Sequence, residues 1–320
     1  MRAAIREEYG LPEVINIKEV DPPKPKKDEV LVKVYHTTVN RTDCGVLTGM
    51  PYVFRFFIGL IKPSKRILGT DFAGELVEIG SHAKTFKPGD RVWGFHDEGL
   101  ESQCEYMTIK ESAAIVSIPE NCSFKEIIAC AEGAHYAINF LNKVTIHTGS
   151  KVLINGATGA IGSAALQLLK LKGAHVTATY NTKNLNLIRE LGADELIDFE
   201  KVDFTQQKNR TFDFIFDAVG KSSFGKCQHL LTPKGVYISS ELGPKAENIY
   251  LPLLTKLKGG KRVKFPFPSN IKSSLKRMNH LVSTGKYKPV IDRSYPLENI
   301  DDAYLYVMSG QKTGNVVIDI

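Results

Sequence analysis

At 320 residues the chain is too long for one small domain, and a prior of ~100–200 residues per domain predicts two. Hydrophobic residues make up 42% and charged residues 24%, which excludes a disordered chain and allows a core that needs no metal or disulfide staple. The net charge of +7 comes with two basic runs, one of Lys24, Lys26 and Lys27, the other of Lys256, Lys258, Lys261, Arg262 and Lys264. Neither is interleaved with aromatic side chains as a base-stacking platform requires, so both read as solvated faces and no nucleic-acid partner is expected. A positive field would still attract an anionic cofactor.

Arg2, Arg6, Glu7 and Glu8 interrupt any apolar run at the amino terminus, so no secretory leader is expected. Pro22, Pro23 and Pro25 mark an early loop, because a ladder strand tolerates few missing donors. Residues 29–34 alternate apolar and charged side chains and predict a half-buried strand, as do residues 74–80. Between them, residues 52–61 form the longest apolar stretch. It is short and carries Arg55, so it cannot span a bilayer, and no membrane partner is expected. Lys87-Pro88-Gly89-Asp90 is a turn leading into Arg91-Val92-Trp93. The five cysteines (Cys44, Cys104, Cys122, Cys130 and Cys227) are an odd set whose closest pair lies eight residues apart. That is neither a disulfide framework nor a CxxC motif, and a reducing cytoplasm is the expected compartment.

The pattern changes near residue 150. Lys151–Asn155 is a short apolar strand, residues 156–162 are a glycine turn, and residues 163–172 place apolar side chains at helical spacing. Strands are then predicted at residues 175–180, 196–199, 212–217 and 236–240, with helices at residues 185–191 and around 227–231. Strands alternating with helices require crossover connections, so the predicted fold class is α/β with a doubly wound parallel sheet. After Pro266-Phe267-Pro268 come a helix near residues 273–283 and another following Tyr295-Pro296-Leu297-Glu298. A closing strand at residues 315–320 is expected to return to the first domain.

The segment Asn155-Gly156-Ala157-Thr158-Gly159-Ala160-Ile161-Gly162 sits between a strand and a helix. Glycines there tighten the turn, let backbone amides approach a pyrophosphate and let the helix pack close to the strand. The helix amino terminus adds unpaired N–H groups and a dipole favourable to negative charge. A plain turn of small residues is the alternative. With the alternating pattern that follows, the segment predicts dinucleotide binding. An NAD site usually has a carboxylate near the end of the second strand for the ribose 2′-hydroxyl. Residues 163–189 hold no Asp or Glu, but they do hold Lys170, Lys172, His175, Lys183 and Arg189. Cations without a carboxylate suit a 2′-phosphate, so NADPH is the expected cofactor, with Tyr180, Asn181 and Lys183 placed to meet it.

Further motifs are Val39-Asn40-Arg41-Thr42-Asp43, Gly69-Thr70-Asp71-Phe72-Ala73-Gly74 and Phe86-Lys87-Pro88-Gly89-Asp90-Arg91-Val92. Leu191-Gly192-Ala193-Asp194, Phe216-Asp217-Ala218-Val219-Gly220 and Lys288-Pro289-Val290-Ile291-Asp292 follow. Together with the glycine turn they resemble the medium-chain dehydrogenase/reductase superfamily, in its zinc-independent quinone oxidoreductase branch, over nearly the whole chain. The resemblance implies a mostly β, GroES-like catalytic domain at residues 1–124 and 268–320 and a Rossmann domain at residues 125–267. It also implies a homodimer through edge strands of the nucleotide domain, and a nicotinamide ribose passing Ala218, Val219 and Gly220. Phe199 departs from a tyrosine of several relatives that touches the 2′-phosphate, and Asn315 from a frequent lysine.

The alcohol dehydrogenases of the superfamily hold catalytic zinc through a cysteine where this chain has Asn40, a histidine where it has Thr70, and a cysteine near Ala129, one place from Cys130. The four-cysteine structural zinc lobe is missing. One displaced cysteine with an amide and a hydroxyl does not make a zinc site, so none is expected. Without that Lewis acid, the expected reaction is reduction of a quinone or an α,β-unsaturated carbonyl by hydride from NADPH. Asn40 and Tyr52 are the candidates for acceptor-side polar contact and proton donation, with loop fixing and packing as their respective alternatives. Residues 52–61 read as a pocket wall or flap for a lipophilic acceptor, or as core or dimer contact. Trp93 and Phe95 are open between pocket and core, while His36 and His135 read as structural. An alcohol or aldehyde dehydrogenase and a non-catalytic NADPH-binding protein, RNA-binding or otherwise, remain as other readings.

Overall fold

A computed structural model describes residues 1–208 and 210–320. They fall into two units, residues 1–132 with 270–320 and residues 133–269.

The first unit begins with β1 (Arg2–Ile5) paired antiparallel to β2 (Asn16–Glu19). It continues with β3 (Glu29–Val39), α1 (Arg41–Thr48), a short α2 (Arg55–Ile58), β4 (Asp71–Ile79), β5 (Arg91–Phe95), β6 (Tyr106–Lys110), β7 (Ile115–Ser117) and α3 (Phe124–Ile128). Strand β3 runs five residues beyond the predicted alternation, and its partners explain why. Its first half pairs with β4 and β6, and its second half with β4 and the last strand of the chain. Val30, Val32 and Val34 face a core with Phe72, Leu76, Val92, Ile109 and Ile115. Each such side chain is worth roughly 1.5–3 kcal/mol when fully buried. Helix α1 has a reciprocal cap: Asn40 Oδ1 accepts from the Asp43 amide at 2.8 Å, and Asp43 Oδ2 accepts from the Asn40 amide at 3.0 Å.

The second unit carries most of α4 (Glu132–Asn142), then β8 (Lys151–Asn155), α5 (Ala160–Lys170), β9 (His175–Tyr180), α6 (Leu185–Glu190), β10 (Glu195–Asp198) and β11 (Phe212–Asp217). It ends with α7 (Phe224–Cys227), β12 (Leu231–Ser239), α8 (Glu247–Lys258) and β13 (Arg262–Lys264). Its six strands are all parallel in the order β10-β9-β8-β11-β12-β13. Counted within the unit that is 3-2-1-4-5-6, the doubly wound order whose crevice opens between the first and fourth strands. Helix α8 has no counterpart among the predicted elements. It contains Pro252, and much of its apolar surface (Ile249, Tyr250, Leu253, Leu254 and Leu257) is exposed.

The chain then completes the first unit with α9 (Ile271–Ser283), β14 (Ile291–Pro296), α10 (Ile300–Met308) and β15 (Asn315–Asp319). Strand β15 lies between β14 and β3, antiparallel to β3, so the tail returns to the first sheet as expected. Val316 and Ile318 join Leu47, Ile300, Tyr304 and Val307 in a second core cluster. Trp93 and Phe95 are fully buried, and Trp93 Nε1 donates to Asn279 Oδ1 at 2.9 Å, so both are core residues. His135 is also buried, and desolvation lowers its pKa to about 4, which keeps the ring neutral. No helix among the described residues is long and apolar enough to cross a membrane.

Candidate functional site

The carboxyl edge of the parallel sheet is tied together by one buried network. The Gly156 amide donates to Thr179 Oγ1 at 2.8 Å, and that hydroxyl donates to Asn155 Oδ1 at 3.0 Å. Asn155 Nδ2 donates to Asp217 Oδ1 at 3.0 Å. Asp217 also accepts from the amides of Gly220 and Ser222, each at 3.0 Å, and from the Tyr237 hydroxyl at 3.0 Å. Burial, then the Asp217 charge, push the Tyr237 phenol far up, so it remains a donor. Four strand ends and the turn after β11 are thereby fixed to one another. Ala218, Val219 and Gly220 lie in that turn, beside the glycine turn.

The three glycines of the phosphate turn have different surroundings. Gly156 has φ +80°, and a Cβ there would lie 2.3 Å from Val219 Cγ1. A Cβ on Gly162 would lie 2.1 Å from the Gly156 carbonyl oxygen, so the helix can approach the strand only with glycine there. Gly159 is the N-cap of α5 and has space: its nearest neighbour to a Cβ would be the Gly156 oxygen at 3.7 Å. No side chain caps α5. Ala157 and Thr158 lead into this end of the helix, and the amides of Ala160, Ile161 and Gly162 form its first turn, the geometry an anion requires. The residues fit a dinucleotide pyrophosphate.

At the end of β9, Tyr180 is largely buried, while Asn181 and Lys183 lie on the turn that follows, with Lys183 exposed. Carboxylates do reach this turn, from the neighbouring strand. Thr182 donates its amide to Glu200 Oε2 at 3.0 Å and its hydroxyl to Asp198 Oδ2 at 2.7 Å. That Thr182 hydrogen bond is the main cause holding the Asp198 carboxyl below its ordinary range, and Lys201 lies 3.2 Å away. Reading residues 163–189 alone misses these groups. Their position at the end of the third strand, next to the second in a 3-2-1 order, was the available signal. Phe199 is exposed beside them, and its amide donates to the Tyr180 carbonyl.

In the first unit, Asn40 and Thr70 meet. Asn40 Nδ2 donates to Thr70 Oγ1 at 2.8 Å, and both residues are buried. The two side chains standing where zinc dehydrogenases have ligands are thus bonded to each other. Cys130 is also buried; its thiol donates to the Glu126 carbonyl, and desolvation pushes its pKa well up, against a metal-binding thiolate. This donor set does not fit zinc. Among the described residues, no group of three or more His, Cys, Asp and Glu side chains is arranged to hold a metal.

Beneath Asn40, Asp71 accepts from the Thr38 amide at 2.7 Å and from the Thr37 and Thr38 hydroxyls at 3.0 and 2.5 Å. Burial nevertheless raises its pKa to about 6. Asp43 is raised well above the carboxylate range by burial, then by the charges of Asp71 and Glu132. Glu132 was not singled out from the sequence. Its Oε1 accepts both the amide and the hydroxyl of Thr42, at 3.1 and 2.6 Å. Its signal was a lone carboxylate inside the apolar run from Ile127 to Leu141. Tyr52 is 66% exposed, with the Arg55 guanidinium 4.9 Å from its ring centre.

Residues 26–139 match the family model of the alcohol dehydrogenase GroES-like domain, and residues 191–318 that of the zinc-binding dehydrogenases. The chain is 31% identical to a 2-methylene-furan-3-one reductase of Solanum lycopersicum, across 99% of this chain and 79% of that protein. It is 29% identical to a chloroplastic NADPH-dependent alkenal/one oxidoreductase of Arabidopsis thaliana, with the same coverage. Among solved structures, the quinone oxidoreductase from Coxiella burnetii superposes with a TM-score of 0.88 at 26% identity, over 100% of this chain and 99% of that one.

Proposed function

Because this chain belongs to the medium-chain dehydrogenase/reductase superfamily, in its quinone oxidoreductase-like branch, we propose that it is an NADPH-dependent, zinc-independent reductase of quinones or α,β-unsaturated carbonyls. The observation that carries the choice of chemistry is the Asn40–Thr70 hydrogen bond, which occupies two positions an alcohol dehydrogenase of this superfamily gives to metal ligands. Oxidising an unactivated alcohol needs a Lewis acid at the alkoxide, whereas an electrophilic acceptor needs far less help. The relatives acting on an enone-type furanone and on alkenals support the same acceptor class.

NADPH, when bound, supplies a hydride from nicotinamide C4. Gly156, Ala157, Thr158, Gly159, Ala160, Ile161 and Gly162 hold the pyrophosphate through backbone amides and the α5 dipole. Tyr180, Asn181 and Lys183 meet the adenosine end, and Lys183 pairs with the 2′-phosphate. Ala218, Val219 and Gly220, held by Asp217, flank the nicotinamide ribose. Asn40 would make a polar contact to the acceptor, and the exposed Tyr52 hydroxyl would hold a proton for it.

The proposal extends to domain limits of 1–124 with 268–320 for the GroES-like catalytic part and 125–267 for the nucleotide part. It also extends to a cytoplasmic homodimer. The short edge strand β13 and the exposed leucines of α8 support pairing through the nucleotide domain. A stopped-time assay of NADPH and NADH oxidation across quinones, enals, simple ketones and alcohols tests the activity. Turnover of quinones or enals with NADPH, unaffected by chelator, is expected. Chelator-sensitive alcohol oxidation, or tight NADPH binding without turnover of any acceptor, would overturn it.

A further inference from the structure

The apolar stretch at residues 52–61 is neither core nor a disordered tail. Only Ile58 is buried. Phe56 is 75% exposed, Phe57 68%, Leu60 61% and Ile61 83%, with Tyr52, Val53 and Phe54 exposed beside them. Together they leave several hundred Å² or so of apolar surface in water, the size at which a patch on a folded protein marks an interaction site. The segment is held in this position. The Tyr9 hydroxyl donates to the carbonyls of Ile58 at 3.0 Å and Gly59 at 2.5 Å. Arg55 Nε donates to the Gly49 carbonyl at 3.1 Å, with its guanidinium over the Tyr9 and Tyr52 rings. The Ser64 amide and hydroxyl close the loop on the Ile58 carbonyl at 2.8 and 3.0 Å.

Charge selects the occupant. Residues 44–70 carry four cations, Arg55, Lys62, Lys65 and Arg66, and no carboxylate. Arg66 is paired with Glu7 and Lys65 Nζ donates to the Gly99 carbonyl, yet Lys62, Lys65 and Arg66 all remain exposed immediately behind the apolar tip. A second copy meeting this face about a two-fold axis would set these cations against their own copies. An anionic bilayer satisfies both halves: aromatic and aliphatic side chains enter the interface while lysines stay among the headgroups. We propose that residues 56–66 form a docking knob for an anionic lipid surface, a peripheral contact that spans nothing. This revises the expectation of no membrane partner, which rested on the segment being too short to cross. Docking does not depend on which acceptor is reduced, so vesicle binding and turnover can fail separately.

The test is co-sedimentation of the purified full chain with sucrose-loaded vesicles of phosphatidylcholine alone and of phosphatidylcholine with phosphatidylglycerol. Wild type should pellet with the phosphatidylglycerol vesicles, less with the neutral ones and less again in high salt. The double variant Phe56→Ser/Ile61→Ser should lose at least about tenfold in partitioning. Each of Lys62→Ala and Lys65→Ala should lose about fivefold, only on the anionic vesicles. Matching thermal midpoints establish that the variants fold. Wild type left in solution with both lipids would overturn the proposal, as would variants that pellet like wild type. So would sedimentation velocity showing a dimer that Phe56→Ser/Ile61→Ser dissociates, with vesicle binding unchanged.

Discussion

The Asn40 side chain joins two structures at once: its oxygen caps α1 at the Asp43 amide, and its nitrogen donates to Thr70 Oγ1 at 2.8 Å. Asn40→Ala removes both bonds, and a longer one from its nitrogen to Thr38 Oγ1 at 3.4 Å, from a buried position and should cost about 1–2 kcal/mol in urea unfolding. Serine caps nearly as well as asparagine, so Asn40→Ser should recover most of that stability. If the amide also contacts the acceptor, kcat/KM stays low in the serine variant. Recovery of both quantities would assign Asn40 to the fold alone.

Gly159 and Gly162 should separate cofactor binding from folding. Gly159 has room for a methyl group and a φ of −76°, so Gly159→Ala should change stability by less than about 1 kcal/mol. Its methyl group stands at the mouth of the helix, and the Kd for NADPH should rise on the order of tenfold. Gly162→Ala forces a Cβ against the Gly156 carbonyl and should cost about 1–3 kcal/mol. Thermal melts beside NADPH fluorescence titrations read both. Equal NADPH affinity in Gly159→Ala and wild type would remove the glycine turn from the cofactor site.

The preference for NADPH rests on a balance now more even than the sequence suggests, because Asp198 and Glu200 stand beside the turn that carries Lys183. Both are engaged by Thr182, and Lys201 offsets Asp198. Lys183→Glu should therefore raise the KM for NADPH by roughly 10–100-fold, the worth of a charge-assisted hydrogen bond, with little change for NADH. Parallel loss with both nucleotides would place Lys183 elsewhere than at the 2′-phosphate.

What could be read in the sequence follows from where each signal lies. Strands β8, β9 and β11 are short apolar runs flanked by turn residues, and their limits match the prediction at both ends. Buried parallel strands announce themselves this way. The helix expected around residues 227–231 sits earlier, as α7 at Phe224–Cys227 with a 3-10 turn behind it, because Ser223 caps it at the Lys226 amide. Helix α1 escaped notice because its eight residues hold only three buried side chains, although Asn40 and Asp43 have capping-box spacing. The network through Asn155, Thr179, Asp217 and Tyr237 could not be read at all. Its members come from four strands, and only the sheet order brings them together.

Two buried groups, each shifted by its own surroundings, have opposite effects on stability in mild acid. The Asp71 carboxyl is raised from 3.8 to about 6 by burial, so its contribution to stability is complete below about pH 4 and fades as pH rises through 6. His135 is depressed from 6.5 to about 4 by burial, so its contribution is complete above about pH 6.5 and fades as pH falls through 4. The opposed slopes should give wild type a nearly flat stability profile between pH 4 and 6.5 from these two groups. Asp71→Asn removes one slope, and that variant should become more stable relative to wild type as pH climbs from 4 to 6, with no further gain above about 7. Urea midpoints measured at half-unit steps of pH check this, and a constant difference across the window would place the Asp71 pKa outside it.

Strand β15 follows every other described strand along the chain, yet it fills an interior slot beside β3, one of the first. The amino-terminal sheet must therefore wait for residues 315–319 with β3 uncovered along half its length, while every described strand of the six-stranded parallel sheet is already available. Nascent chains stalled short of residue 315 should expose that edge to chaperones, and truncation before residue 315 would harm the seven-stranded sheet most.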